Sequence, residues 1–381
     1  MFYLLTTSII LILSTWLFYP ISLSILYLLT RTKRQTKKEI SNKINKCATI
    51  IIASHNESNR IENRIRNIYA SSLENKIEVI VASDGSSDNT VDIVKALSKE
   101  FTSLLLVESK KQIGRARIHN KAKNIAKYDI LIFTDADTTF DEHSIKNITA
   151  AFLDENIGFA SGKIFYTNQL DGITNSSGLY WEFELFLRGM ESSLGILASG
   201  SGPFCAVRKH LYKDIPSTGD VDFTTPIDVV MQGYKCVYVS DAIAFDLLPD
   251  TPKREFKSRV RMTSKNFHGI LSRIGLEGVF KHPIYALSLF FHKILRWLTP
   301  FFLVSLLISN LALISNGELF LTLLIIQLTL YFSAIAGFFY PSLPVIGKVY
   351  AFLLANAAFA IGVVNALTGK IPSLYNPINK T

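Results

Sequence analysis

Apolar residues are spread so unevenly along this 381-residue chain that one solvent cannot serve all of it. Residues 2–29 carry no charged side chain, and such a stretch is long enough to cross a bilayer with some tilt. The basic residues Arg31, Lys33, Arg34, Lys37 and Lys38 follow this run rather than precede it. That order fits an anchor, not a cleaved leader, and puts the next segment on the cytoplasmic side. Three more spans are expected at 295–314, 319–339 and about 350–367, separated by Asn316-Gly317 and by the prolines at 341 and 344. Arg296 and Trp297 suit an interfacial entry point. Four spans leave both termini outside, although Lys370 and Lys380 in the tail count against that side.

The formal net charge of +9 raises the question of nucleic acid. The clusters at 31–38 and 254–265 lie beside apolar stretches, however, which suits anionic lipid, and no interleaved aromatic-and-basic surface motif appears. Three scattered cysteines, Cys47, Cys205 and Cys236, form neither a CxxC pair nor a Cys/His grouping. Reduced thiols are expected, without a zinc site or disulfide framework.

Between the apolar ends the text is that of an α/β domain. Short β-branched runs at 48–53, 78–82 and 129–134 alternate with helical stretches at 58–69, 89–99 and 115–126. Continuous apolar strands between helices indicate a parallel sheet covered on both faces. Later strand candidates are 157–166 and 235–239. At 254–271, Phe256, Val260, Phe267 and Leu271 fall near one helical face amid five basic residues, which suggests a helix lying on a membrane surface; a basic helix packed on the domain fits equally.

Chemistry concentrates after the strands. Thr134-Asp135-Ala136-Asp137 ends an apolar strand, where ligand sites of open α/β sheets lie, and two carboxylates one residue apart can hold a hard divalent cation. A solvated turn can also carry that triplet. Ser83-Asp84-Gly85-Ser86-Ser87-Asp88-Asn89-Thr90 follows the second strand. Asp88 or Asn89 can simply cap the next helix, whereas Asp84 precedes the cap and can accept hydrogen bonds from a base or ribose. Ser54-His55-Asn56-Glu57 follows the first strand; His55 can be a plain loop residue and Glu57 a helix-start acid.

These pieces, in this order and spacing, resemble the family 2 glycosyltransferases of the GT-A fold. Gly114-Arg115 with Asn120 is similar to that family's Gly-Lys…Asn stretch, with Arg for Lys. Ser199-Gly-Ser-Gly202 with Ala206-Val-Arg208 resembles its acceptor region, and Asp222-Phe-Thr-Thr-Pro226 with Gly233-Tyr234 its catalytic-acid region. Val221 stands where the first Asp of an Asp-Asp pair is expected, so the carried-over base is Asp222; another register chooses Asp220, and a helix cap accounts for either. The polysaccharide synthases of cellulose, hyaluronan and poly-N-acetylglucosamine carry a Gln-x-x-Arg-Trp motif. Here the stretch reads Ser258-Arg-Val-Arg261-Met262, which keeps the Arg and loses the aromatic platform.

The resemblance implies a GT-A (Rossmann-like) mixed sheet with helices on both faces, plus transmembrane helices at both ends. It implies an inverting transfer from a nucleotide sugar, UDP-linked by expectation, to a glycan or glycolipid acceptor at the cytoplasmic face of a cell membrane. Asp135 and Asp137 would hold Mg2+ or Mn2+, and Asp222 would be the base. His55, Glu57, Asp84, Arg115, Asn120, Asp135 and Arg261 would bind the nucleotide, and Ser201 and Gly202 would line the acceptor pocket. The expected organisation is an anchor at 1–30, a basic linker at 31–47 and a catalytic domain at 48–250. Interfacial helices at 251–294, C-terminal spans at 295–370 and a tail at 371–381 complete it. Two alternatives are a polyprenyl-phosphate sugar transferase and a membrane protein that binds nucleotide sugars without catalysis.

Overall fold

In the computed structural model, residues 1–30, 46–72, 76–167, 172–247, 251–340 and 343–371 are described. The basic cluster 31–38, Pro341 and Lys380 lie outside them.

Eight strands form one sheet: β1 (Ala48–Ser54), β2 (Ile77–Asp84), β3 (Leu104–Ser109), β4 (Ile130–Asp135), β5 (Thr139–Phe140), β6 (Ile157–Tyr166), β7 (Phe204–Arg208) and β8 (Lys235–Asp246). Their order is β3-β2-β1-β4-β7-β6-β8-β5. The first four strands in that order are parallel, and β7 and β5 run against their neighbours. β6 and β8 are parallel to each other and run in the same direction as those four, so the parallel expectation holds for six strands, and the whole is mixed. The strand at 235–239 continues to Asp246, pairing with β6 across two register shifts.

Neighbouring side chains on a strand point to opposite faces, which explains the unbroken apolar runs. Ile50, Ile52, Ile130 and Ile132 join one buried cluster, while Ile51, Leu131 and Phe133 join the other. Helices cover both. The register Ser54↔Ser83 and Ala53↔Asp135 brings the carboxyl ends of β1, β2 and β4 level. The loops that follow must therefore meet at one edge.

Among the described residues, four helices are long and apolar enough to cross a membrane: Phe2–Thr30, Pro283–Asn316, Glu318–Phe339 and Val345–Leu367. The second begins well before the expected residue 295 and contains a π turn, Phe290–Ile294. Arg296 and Trp297 are both buried in the protein, at 2% and 6% exposure. The helix Pro252–Arg273 packs along Pro344–Leu367 and against Val221–Met231. A Cβ on Gly362 would lie 2.5 Å from Thr263 Cβ, so the crossing is close. Its expected apolar face is split, with Phe267 buried and Leu271 exposed. Cys205 and Cys236 are buried free thiols, and Cys47 is free and half-buried.

Candidate functional site

A cavity of about 450 Å³ opens at the carboxyl edge of β1, β2 and β4. Of the residues expected in the site, His55, Glu57, Asp84, Arg115, Asp135, Asp137, Ser201, Gly202, Asp222 and Arg261 all line it. Asn120 does not. Its side-chain amide donates to Ile215 O (2.9 Å), and its carbonyl oxygen accepts from Tyr212 Oη (2.9 Å) and Ile215 N (3.1 Å). The helical spacing that sets Asn120 five residues after Arg115 turns it to a different side, where it ties two backbone segments together.

The first two loops are knitted to each other. His55 Nδ1 donates to Asp84 O at 2.7 Å, and Ser87 N donates to Asn56 Oδ1 at 2.8 Å. Asp88 accepts from Ser58 N and from Thr90 N, both at 3.0 Å, so it holds the first residue of one helix while fastening the neighbouring loop. These hydrogen bonds hold its carboxyl below the usual range against the opposing effect of burial. Asp84 spends both oxygens on backbone, accepting from Ile113 N (2.7 Å) and Gly114 N (2.9 Å). That fixes the turn immediately ahead of Arg115. Gly85, at φ +69°, permits the same approach: a Cβ there would sit 2.5 Å from Gln112 N.

Arg115 bridges the two halves of the cavity. Its guanidinium pairs with the Asp135 carboxylate and donates to Gly202 O at 3.1 Å. Below the Asp135–Asp137 turn lies Arg64, a residue the sequence did not mark. It is buried, donates to Thr134 Oγ1 (2.7 Å) and Asp135 O (3.2 Å), and lies 4.0 Å over the Phe140 ring. Its cation beneath the turn offsets the repulsion of two adjacent carboxylates. Among the described residues no three His, Cys, Asp or Glu side chains cluster as a metal site. Asp135 and Asp137 supply hard oxygen donors suited to Mg2+ or Mn2+, so a cation here needs its remaining ligands from a bound molecule such as a diphosphate.

Across the cavity, Gly200 N donates to Asp222 O at 2.7 Å, and a Cβ on Gly202 would lie 3.6 Å from Asp222 Cγ. The small residues of the Ser199–Gly202 loop thus leave open space in front of the Asp222 carboxylate. Burial, then the neighbouring Asp220, push the Asp222 carboxyl up to about 6, against the pull of Arg115. Asp220 differs: it is the N-cap of helix Val221–Met231 and pairs with Lys265 Nζ at 3.0 Å.

The same cavity continues toward the apolar helices, where Trp181, Glu184, Arg188, Lys293, Arg296 and Trp297 line it. Sequence reasoning missed Glu184 and Arg188, because the helix Gly172–Leu194 that carries them was not recognised. Its polar and apolar residues alternate without a clear stripe, since one helix meets the sheet, the N-terminal helix and the last span together.

The profile of the glycosyl transferase family 2 matches residues 49–215. The poly-beta-1,6-N-acetyl-D-glucosamine synthase of Staphylococcus aureus (strain MSSA476) is 27% identical over 281 residues, 68% of this chain and 66% of that one. The synthase of the same name from Staphylococcus epidermidis is 24% identical over 290 residues, with the same coverage. The chain thus covers just under two thirds of these relatives' length. A mannosyltransferase from Pyrobaculum calidifontis, solved with GDP-Man and Mn2+, superposes with a TM-score of 0.68 at 21% identity, over 96% of this chain and 99% of that one. That likeness establishes a shared GT-A fold, the apolar helices included.

Proposed function

We propose that the chain, whose residues 49–215 match the profile of the glycosyl transferase family 2, moves a sugar from a nucleotide-sugar donor to a polysaccharide or glycolipid acceptor at a membrane. The observation that carries this reading is the convergence of three strand-end loops on one cavity, with the Asp222 carboxylate across from them behind Gly202.

In this reading the donor is UDP-linked and its nucleoside lies against the loops of His55, Glu57 and Asp84. Asp135 and Asp137 hold Mg2+ or Mn2+ on the diphosphate; the cation, when bound, neutralises charge on the leaving group. Arg115, already between Asp135 and Gly202, donates to the same oxygens from the other side, and Arg261 adds a cation from the helix packed above. The acceptor sits over Ser201 and Gly202. Its hydroxyl oxygen attacks the anomeric carbon while the bond to the nucleoside diphosphate breaks, and Asp222 takes the hydroxyl proton. One displacement inverts the anomeric centre. The domain faces the cytoplasm, where nucleotide sugars are made, with the expected 48–250 segment held by spans on both sides.

A panel of nucleotide sugars, offered to the purified protein in lipid nanodiscs with and without Mn2+, tests the reading through nucleoside-diphosphate release and mass analysis of the product. Asp137→Ala should abolish the Mn2+-dependent part. Full Mn2+-dependent transfer by Asp137→Ala would reject the metal assignment, and donor binding without release under any acceptor would make the protein a binder.

A further inference from the structure

The cavity has ends of opposite charge. At the sheet edge it presents aspartates; toward the apolar helices it presents cations gathered on one buried carboxylate. Glu184 receives Arg188 Nε at 3.2 Å, Lys293 Nζ at 2.7 Å, Arg296 Nη1 at 2.8 Å and His292 Nε2 at 3.0 Å. Burial alone would raise the Glu184 carboxyl, yet Lys293, His292 and Arg296 hold it well below the ordinary range. The second acid, Glu191, faces His292 Nδ1 at 2.6 Å and accepts from Tyr19, Ser288 and the Ala198 backbone.

The donors of this cluster are not used up. Among the described residues, Arg188 spends Nε on Glu184 and Nη1 on Ser201 Oγ (2.7 Å), and Nη2 makes no hydrogen bond. Lys293 uses one of three ammonium protons. Both side chains line the cavity. Ser201 belongs to the loop that faces Asp222 through Gly202, so an anion on these donors would lie beside the proposed acceptor position.

We propose that Arg188 and Lys293, braced by Glu184, form an anion subsite that takes the phosphoryl group of a lipid-borne acceptor. The inference rests on the transferase reading and names its acceptor class: a phosphoryl glycolipid, whose phosphate occupies the subsite while its sugar hydroxyl reaches Asp222, not a neutral glycan. The lipid source follows from position. Lys293 lies in the π turn of a 34-residue candidate span, and Trp297 and Phe359, each on a candidate span, line the same cavity. π turns inside α-helices often mark functional sites. This one brings His292 and Lys293 to the buried acids together.

The test uses the full chain in phosphatidylcholine nanodiscs, with three probes: a polyprenyl phosphate, the corresponding polyprenol and inorganic phosphate. Binding is read from the fluorescence of Trp181 and Trp297, which line the cavity. The polyprenyl phosphate should bind at least tenfold more tightly than either of the other probes. Arg188→Gln and Lys293→Gln should each weaken it tenfold or more, and Arg188→Lys should recover part of the loss. Retention of UDP-N-acetylglucosamine or GDP-mannose by the wild type with Mn2+ is measured in the same samples. If donor is retained but polyprenol and polyprenyl phosphate bind equally, the subsite is wrong while the transferase reading stands. Inorganic phosphate binding as tightly as the lipid would overturn the lipid assignment. If no nucleotide sugar is held, the underlying reading falls and takes the inference with it. The comparison of lipids in the wild type needs no variant to fold.

Discussion

Two aspartates two positions apart have been given different work by their neighbours. Asp220 is neutralised by Lys265, whereas Asp222 has no ion pair among the described residues and holds its proton up to about pH 6. A general base must be ionised to act, so transfer should decline about tenfold per unit as pH falls below 6 and level off above it; a rate profile measured from pH 4.5 to 8 checks this. Asp222→Asn should reduce transfer about 100- to 10,000-fold with donor affinity retained, and Asp220→Asn should reduce it less. The reverse ranking would move the base to Asp220. Gly85 offers a purely steric test. Alanine there meets both a left-handed backbone and Gln112 N at 2.5 Å, so Gly85→Ala should cost about 1–3 kcal/mol in denaturant unfolding. It should also weaken donor binding by displacing the turn that Asp84 holds.

Helix-scale packing decides how the domain meets the apolar section. Pro252–Arg273 is wedged between Pro344–Leu367 and Val221–Met231, packed on the domain as one of its two readings allowed. Lys265 on this helix reaches Asp220 at the start of the helix that bears Asp222. The last span is therefore coupled through one crossing to the helix that bears Asp222. Gly362→Leu should force that crossing apart, at about 1–3 kcal/mol for overpacking. The expected readout is a lower melting temperature in detergent together with reduced transfer, since Lys265 moves with its helix.

Across the whole molecule, the buried cluster of Glu184 and Glu191 joins the N-terminal helix, the Gly172–Leu194 helix and the Pro283–Asn316 span. Removing one charge of such a cluster leaves the others uncompensated, and Glu184→Gln should cost about 3–5 kcal/mol of stability, seen as a lowered melting temperature. Because the folded-state value of Glu184 is depressed, its contribution is fully present above the ordinary glutamate value of 4.5. It is lost progressively as pH falls below that value. Thermal melts of wild type and Glu184→Gln should therefore converge in acid and separate near neutrality.

Local pattern was enough to place the apolar spans, strands β1, β2 and β4, and the carboxylates at their ends. Strand runs and membrane spans are written in consecutive residues, and parallel strands joined by helices must bring their carboxyl ends to one edge. Asp135 and Asp137 were legible for that reason. What pairs with what was decided only by the tertiary fold. Asn120 turned to Ile215 and Tyr212, Arg64 went under Asp135, Arg188 reached Ser201, and Lys293 reached Glu184 from 109 positions away. Contacts at such separation leave no periodicity in the chain, and a buried ion pair is specified only once both partners have lost their water.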